Sequence, residues 1–257
     1  MNKQHSAGMN PQPITSLLVL IACFTIVHIF YAGVIHPAAS AVMESAGSSA
    51  LFSIWVILKD VEQQVCFSLM FFCLFLIGYK VRHLWFKELA LSDMDFLQKL
   101  DKSAPLDIDN ALSIFEESKH KENPVLKTWV NCLRRFKNTG NIQHAADVIE
   151  SSVESLAAQL ENGNTMIRYI IWAIPSIGFV GTVRGIGQAL AQADQALAGD
   201  IAGMTSSLGV AFNSTLVALF ISLLLMLFMH MLNNLQDTMV LNTQQSCEKH
   251  LLSHLHN

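Results

Sequence analysis

The sequence predicts an all-α membrane protein: four transmembrane helices with a helical cytoplasmic insert between the second and third. Three observations lead there. About half of the 257 residues (52%) are hydrophobic and only 14% are charged. Four apolar segments, at residues 14–35, 61–80, 167–190 and 204–232, approach or exceed the roughly 20 residues that a helix needs to cross a bilayer core. No stretch shows the two-residue alternation of a half-buried strand.

Taken in order, residues 1–13 form a short polar N-terminus. The first span (14–35) is too long for the apolar core of a signal peptide, and Ala38-Ala39-Ser40 only weakly imitates a cleavage site. An external loop is expected at 36–60, before the second span (61–80). Lys80, Arg82 and Lys87 open the segment after it, and the stretch to Arg168 holds most of the chain's Lys and Arg. The 36–60 loop offers Lys59 beside Asp60, with Glu62 just after. The loop at 191–203 has Asp194 and Asp200 and no basic residue. Positive charge concentrates on the cytoplasmic side, so both termini and residues 81–166 are expected there.

Within the insert, Leu106–His120 and Pro124–Lys137 carry apolar residues at helical spacing, the second ending before Asn138-Thr139-Gly140. From Asn141 a third periodic run (Ala145, Val148, Ile149, Val153, Leu156, Leu160) leads toward the third span. A tail at 233–257 follows the fourth span.

The last two spans differ from ordinary lipid-facing helices. At about 100° per residue, Gly178, Gly181, Thr182 and Gly185 share one stripe of the third. Ser207, Ala211, Ser214, Thr215, Ala218 and Ser222 share one stripe of the fourth. Small residues let helix backbones approach closely, and intramembrane hydroxyls usually face protein or water. Two readings stand here: tight packing with each hydroxyl bonded back to its own helix, or a polar path. Pro175, about two turns inside the third span, should free one backbone carbonyl and can bend the helix.

Other chemistry is poorly supported. The net charge of −4 disfavours nucleic acid. Cys23, Cys66, Cys73, Cys132 and Cys247 are scattered and suggest neither a disulfide framework nor a zinc site. His250, His254 and His256 read as a solvated tail, so no metal or other cofactor is expected. His28 can face a partner helix, and His230 belongs near the cytoplasmic interface. The glycines of 178–187 continue a helix instead of following a strand, which disfavours a nucleotide loop. No nucleophile–base arrangement or carboxylate pair points to an enzyme.

The run IPSIGFVGTVRGIG (174–187) resembles the P-x-x-G-x-x-G-T-v-x-G signature of the MotA/TolQ/ExbB proton channel family. The run LGVAFNSTLVAL (208–219) resembles that family's last helix. The resemblance covers about residues 141–240 and the order of helices more loosely. It implies a homo-oligomer, a pentamer, in the bacterial inner membrane. That pentamer would surround the single transmembrane helices of two copies of a partner similar to ExbD, TolR or MotB. An Asp on the partner helix would take up and release an ion, and the flow would drive mechanical work. Thr182 and Thr215, with Ser214, would line the ion path. Gly178, Gly181, Gly185, Ser207, Ala211 and Ala218 would pack helices within the oligomer.

The chain departs from the family pattern in three places. Arg184 replaces an apolar residue and can act as an interfacial anchor or as a gate. Val210 occupies a place where some relatives carry Glu, so the ionisable group is expected from the partner. Asn213, opposite Thr215, can bond a neighbouring subunit or cap an internal contact. The extra first span is similar to MotA-like members, while the last two helices look closer to TolQ and ExbB. A cationic group (Lys127, Arg134, Arg135, Lys137) fits a rotor contact or a solvated helix face equally well. A non-conducting membrane scaffold and a sodium-driven version of the motor remain as alternatives.

Overall fold

The computed structural model describes residues 10–46, 53–85, 107–118 and 123–252. Helices α1 (Pro13–Phe30), α2 (His36–Ala46), α3 (Ile54–Ile57), α4 (Val61–His83), α5 (Ile108–Glu117), α6 (Pro124–Thr139), α7 (Ile142–Gly163), α8 (Thr165–Ala191), α9 (Ala193–Leu197) and α10 (Ala202–Ser246) account for most of them, with no strand among the described residues. Four helical stretches are long and apolar enough to cross a membrane: Pro13–Ser45, Val61–His83, Ile142–Ala191 and Ala202–Lys249. The chain is a membrane protein.

Helical structure overruns the apolar segments. Residues 36–46, expected as loop, continue α1 through a π-helical turn (Tyr31–Ile35) into α2. Pro37 has no N–H to give, and just ahead of it the backbone widens so that His36 N–H donates to the Tyr31 carbonyl. The turn buries Tyr31 and Ile35 against Leu58 and Phe67. At the other end α10 runs 45 residues, well past the apolar segment, because nothing in its sequence breaks the hydrogen-bond ladder.

The described residues fall into two compact units. One comprises Pro11–Ile77 with Met166–Met229 and holds the small-residue stripes. The other draws on Asn10, Gly78–Thr165 and His230–Asn257. In this second unit, N-caps fix each helix start. Asp107 accepts from the Asp109 and Asn110 amides, Asn123 from Val125 N, and Asn141 from Gln143 N. Gly140, with φ 61°, closes α6 in the left-handed conformation that a residue lacking Cβ adopts freely.

Its core gathers Leu112 and Phe115 of α5, Leu126, Trp129 and Leu133 of α6, and Ile149 and Val153 of α7, together with Cys247 and Leu251. Phe115 meets Trp129 edge to face at 6.2 Å. Cys132 is fully buried there, and burial pushes its thiol up to about 12. A second cluster joins Leu84, Leu156 and Leu160 to Met239 of α10. The helix expected over Leu106–His120 is Ile108–Glu117; Leu106 and residues 119–120 lie outside the described residues, as do Lys87, His254 and His256.

Candidate functional site

In the membrane unit, α8 and α10 pack antiparallel through the two stripes. Gly178 meets Ala218 and Ser214, Gly181 meets Ser214, and Gly185 meets Ala211 and Ser207. A Cβ on Gly178 would lie 2.5 Å from the Ala218 Cβ and 3.0 Å from the Ser214 carbonyl oxygen, so no larger residue fits without a shift. The glycine face is therefore filled within one chain. Larger side chains turn away from it: Trp172, Phe179 and Val183 of α8, and Phe212, Leu216 and Phe220 of α10, are exposed on the isolated chain.

Pro175 frees the carbonyl of Ile171, four residues earlier. Ser222 of α10 donates its hydroxyl to that oxygen at 3.0 Å. The small-residue stripe thus carries one hydroxyl whose task is set by a proline on the facing helix.

Thr182 and Thr215 are brought together, hydroxyl to hydroxyl. Thr182 Oγ1 is also 3.0 Å from the Ala211 carbonyl and 3.3 Å from that of Gly178; Thr215 Oγ1 is 3.2 Å from the Gly178 carbonyl. Two hydroxyls hold only two hydrogens, so these contacts cannot all form at once. If Thr182 donates to Thr215, then Thr215 donates to Gly178. If Thr215 donates to Thr182, then Thr182 donates to Ala211 or Gly178. Both threonines are half-buried, so the pair is approachable on one side. In either arrangement an oxygen lone pair remains to meet a cation or an acid proton.

Arg184, two residues beyond Thr182, donates to Glu62 Oε2 at 2.7 Å. Glu62 stands in the first turn of α4, where an acidic side chain suits the positive end of the helix. Asp60 lies just ahead of it. Its Oδ2 is buried without a hydrogen-bond partner among the described residues, and burial pushes its carboxyl above the usual range against the opposing charges of Lys59 and Arg184. Ser207 accepts from Gln192 at 3.2 Å. His28 meets Gln64 of α4 at 3.0 Å, so its helix partner lies in the same chain. Asn213 is half-buried and forms no hydrogen bond among the described residues.

Of the cationic group on α6, Arg134 pairs with Glu116 at 2.6 Å and Lys137 pairs with Asp109, both on α5. Two of its four charges are thereby offset locally. No group of three or more His, Cys, Asp or Glu is placed to hold a metal among the described residues. Glu62 is the site residue that sequence reasoning missed, and Ser222 was placed on its stripe without its bond to Ile171. Arg184 was the available signal for Glu62, since a cation inside an apolar helix needs a carboxylate from somewhere.

Comparison with curated proteins and with solved structures gives no match. The family model described as the MotA/TolQ/ExbB proton channel family matches residues 117–245. That is half of the chain, and it takes in α8, α10 and the whole contact between their small-residue faces. Its members are channel- and transport-associated proteins that work in membrane complexes. With four helices able to cross a membrane and this match over the site itself, the chain belongs to the MotA/TolQ/ExbB proton channel family.

Proposed function

We propose that this chain is the stator-type ion-channel subunit of an inner-membrane motor. It couples proton-motive force to mechanical work through a single-span partner similar to ExbD, TolR or MotB that carries a transmembrane Asp. The supporting observation is the Thr182–Thr215 hydroxyl pair, half-buried between α8 and α10 at the two family motifs. A partner carboxylate at membrane depth is costly unless hydroxyls or water solvate it. A hydroxyl pair with alternative hydrogen arrangements meets both the charged and the neutral acid. In this reading five copies surround the partner helices, Ser214 adds a further hydroxyl beside the pair, and both termini face the cytoplasm.

The test is ion flux in liposomes containing the chain and a co-expressed single-span partner. Thr182→Val with Thr215→Val preserves shape and removes both hydroxyls. Loss of a buried hydrogen-bond partner costs about 1–3 kcal/mol, enough to lower flux about tenfold or more. Thr→Ser at both positions should be milder. A second reading, a non-conducting scaffold, is favoured by the hydroxyls' bonds to one another and to backbone carbonyls within the chain. Undiminished flux through a correctly assembled double-valine complex would take the threonines out of the path, and no flux through the unmodified complex would leave the scaffold ahead.

A further inference from the structure

Two side chains, those of Ser214 and Glu62, meet at Gly181 beside the threonine pair. A Cβ on Gly181 would lie 2.7 Å from Ser214 Oγ and 3.1 Å from Glu62 Cγ. Helical hydroxyls in this chain commonly donate to a carbonyl four residues back, as Thr25, Ser40, Ser68 and Ser176 do. Ser214 departs from that habit. Its residue is 1% exposed, and its oxygen has no hydrogen-bond partner among the described residues. A buried hydroxyl with lone pairs and a hydrogen unused is an unfilled position in the site.

The ion pair beside it is asymmetric. The Glu62 side chain is 11% exposed and Arg184 is 41% exposed, so the carboxylate is held inside while the guanidinium reaches outward. Arg184 engages Oε2 alone. The long arginine side chain is the partner able to leave, and Glu62, rooted in the first turn of α4, is the one that stays. Asp60, Lys59 and His36, with the Cys66 thiol near Glu62 and the Tyr31 hydroxyl near Asp60, are further charged or titratable groups at this end.

Resting on the channel reading above, we propose that Glu62 and Ser214 form a monovalent-cation subsite on this chain, beside the Thr182–Thr215 pair, which Arg184 fills whenever the ion is absent. A cation arriving at Glu62 displaces the guanidinium outward and gains the uncharged Ser214 oxygen as its second ligand. When the ion moves on to the threonines, Arg184 returns to the carboxylate. For Na⁺ no covalent bond changes; a proton instead bonds to a Glu62 oxygen and leaves that oxygen when it moves on, and the carboxylate charge is met in both states.

The experiment measures flux against ion concentration in liposomes holding the chain and its single-span partner. Proton flux is read with a pH-sensitive dye and Na⁺ flux with a radioactive tracer, which separates the two possible cations. Glu62→Gln should lower flux about tenfold and raise the half-saturating concentration. Arg184→Gln removes the competitor and should lower that concentration. A pair that only braces α4 against α8 would move both variants the same way, and the exchange Glu62→Arg with Arg184→Glu would restore it. In the proposed subsite the exchange fails, because the carboxylate has left Ser214. Oligomer mass and partner retention are checked for each variant. If Glu62→Gln does not assemble, the direction of the Arg184→Gln shift decides alone. Unchanged half-saturation in both single variants, shifts in the same direction, or rescue by the exchange overturns the subsite. Unaltered Glu62→Gln behaviour alongside a dead threonine double variant removes the subsite and keeps the threonine path; normal flux in the threonine double variant removes that path, on which the subsite rests.

Discussion

Gly185 and Gly187 stand two residues apart in α8 and differ in what an added methyl group meets. At Gly185 a Cβ would lie 2.7 Å from the Ala211 amide nitrogen, 2.8 Å from the Ala211 Cβ and 2.8 Å from the Ser207 carbonyl oxygen. Two of those three atoms are backbone, which cannot rotate away. At Gly187 nothing lies within 4 Å. Replacing Gly by Ala in a helix interior stabilises it by about 1 kcal/mol through backbone entropy, and both variants share that gain. Overpacking a tight contact costs about 1–3 kcal/mol. Gly187→Ala should therefore stabilise by up to about 1 kcal/mol, while Gly185→Ala should range from neutral to about 2 kcal/mol destabilised. Their difference, about 1–3 kcal/mol, isolates the collision, because propensity and the unfolded reference cancel. The assay is unfolding of each variant in mixed micelles by added SDS, followed by circular dichroism. Two variants of equal stability, within about 0.5 kcal/mol, would refute the close α8–α10 contact.

Further outcomes follow from other contacts. Ser222→Ala should destabilise by about 1–2 kcal/mol because the Ile171 carbonyl loses its donor. Adding Pro175→Ala should recover most of that loss, since an alanine there supplies the N–H that proline lacks; absence of recovery in the SDS unfolding series would separate the two residues. Asp60 has its folded-state carboxyl raised above the ordinary 3.8, so just above that pH the native chain holds more protons than the unfolded one. Stability should fall as pH rises through this window and stay lower above it, and Asp60→Asn should abolish the fall, leaving the variant more stable at neutral pH in a melting series. For topology, a cysteine at Gln195 in a chain stripped of its native thiols should react with an impermeant reagent on intact cells, and one at Ser118 should not. Labelling at Ser118 would invert the orientation.

Much of the architecture was legible in the sequence because hydropathy and periodicity are local. Four long apolar runs, the small-residue stripes and the periodic helices of the insert can each be recognised within a short window, whereas the N-caps Asp107, Asn123 and Asn141 came with the structure. Helix length was less legible. Apolar counting stops where side chains become polar, whereas the ladder in α2 and the distal half of α10 continues because Ala, Met, Leu and Gln sustain it. Pairings across the fold were hidden for a different reason. Glu62 and Arg184 are 122 residues apart, and no periodicity says which helix faces which. Val210, where some relatives carry Glu, points to the partner as the source of an ionisable group, while the structure brings Glu62 of this chain to Gly181 beside the threonine pair. Arg134 and Lys137 looked like a free cationic face because their carboxylates lie on a separate helix.

The bond from Ser222 to the Ile171 carbonyl bears on how the chain is made. Hydrocarbon offers no donor to a carbonyl stripped of its partner, so α8 alone would carry an unmet acceptor into the bilayer. The residue that meets it lies 51 positions downstream and emerges from the ribosome later. Helix α8 is thus complete only after α10 has inserted and docked, whatever its own hydropathy. A nascent chain stopped before Ser222 would present an unfinished span, because Pro175 leaves an acceptor on α8 that a residue of the last helix meets.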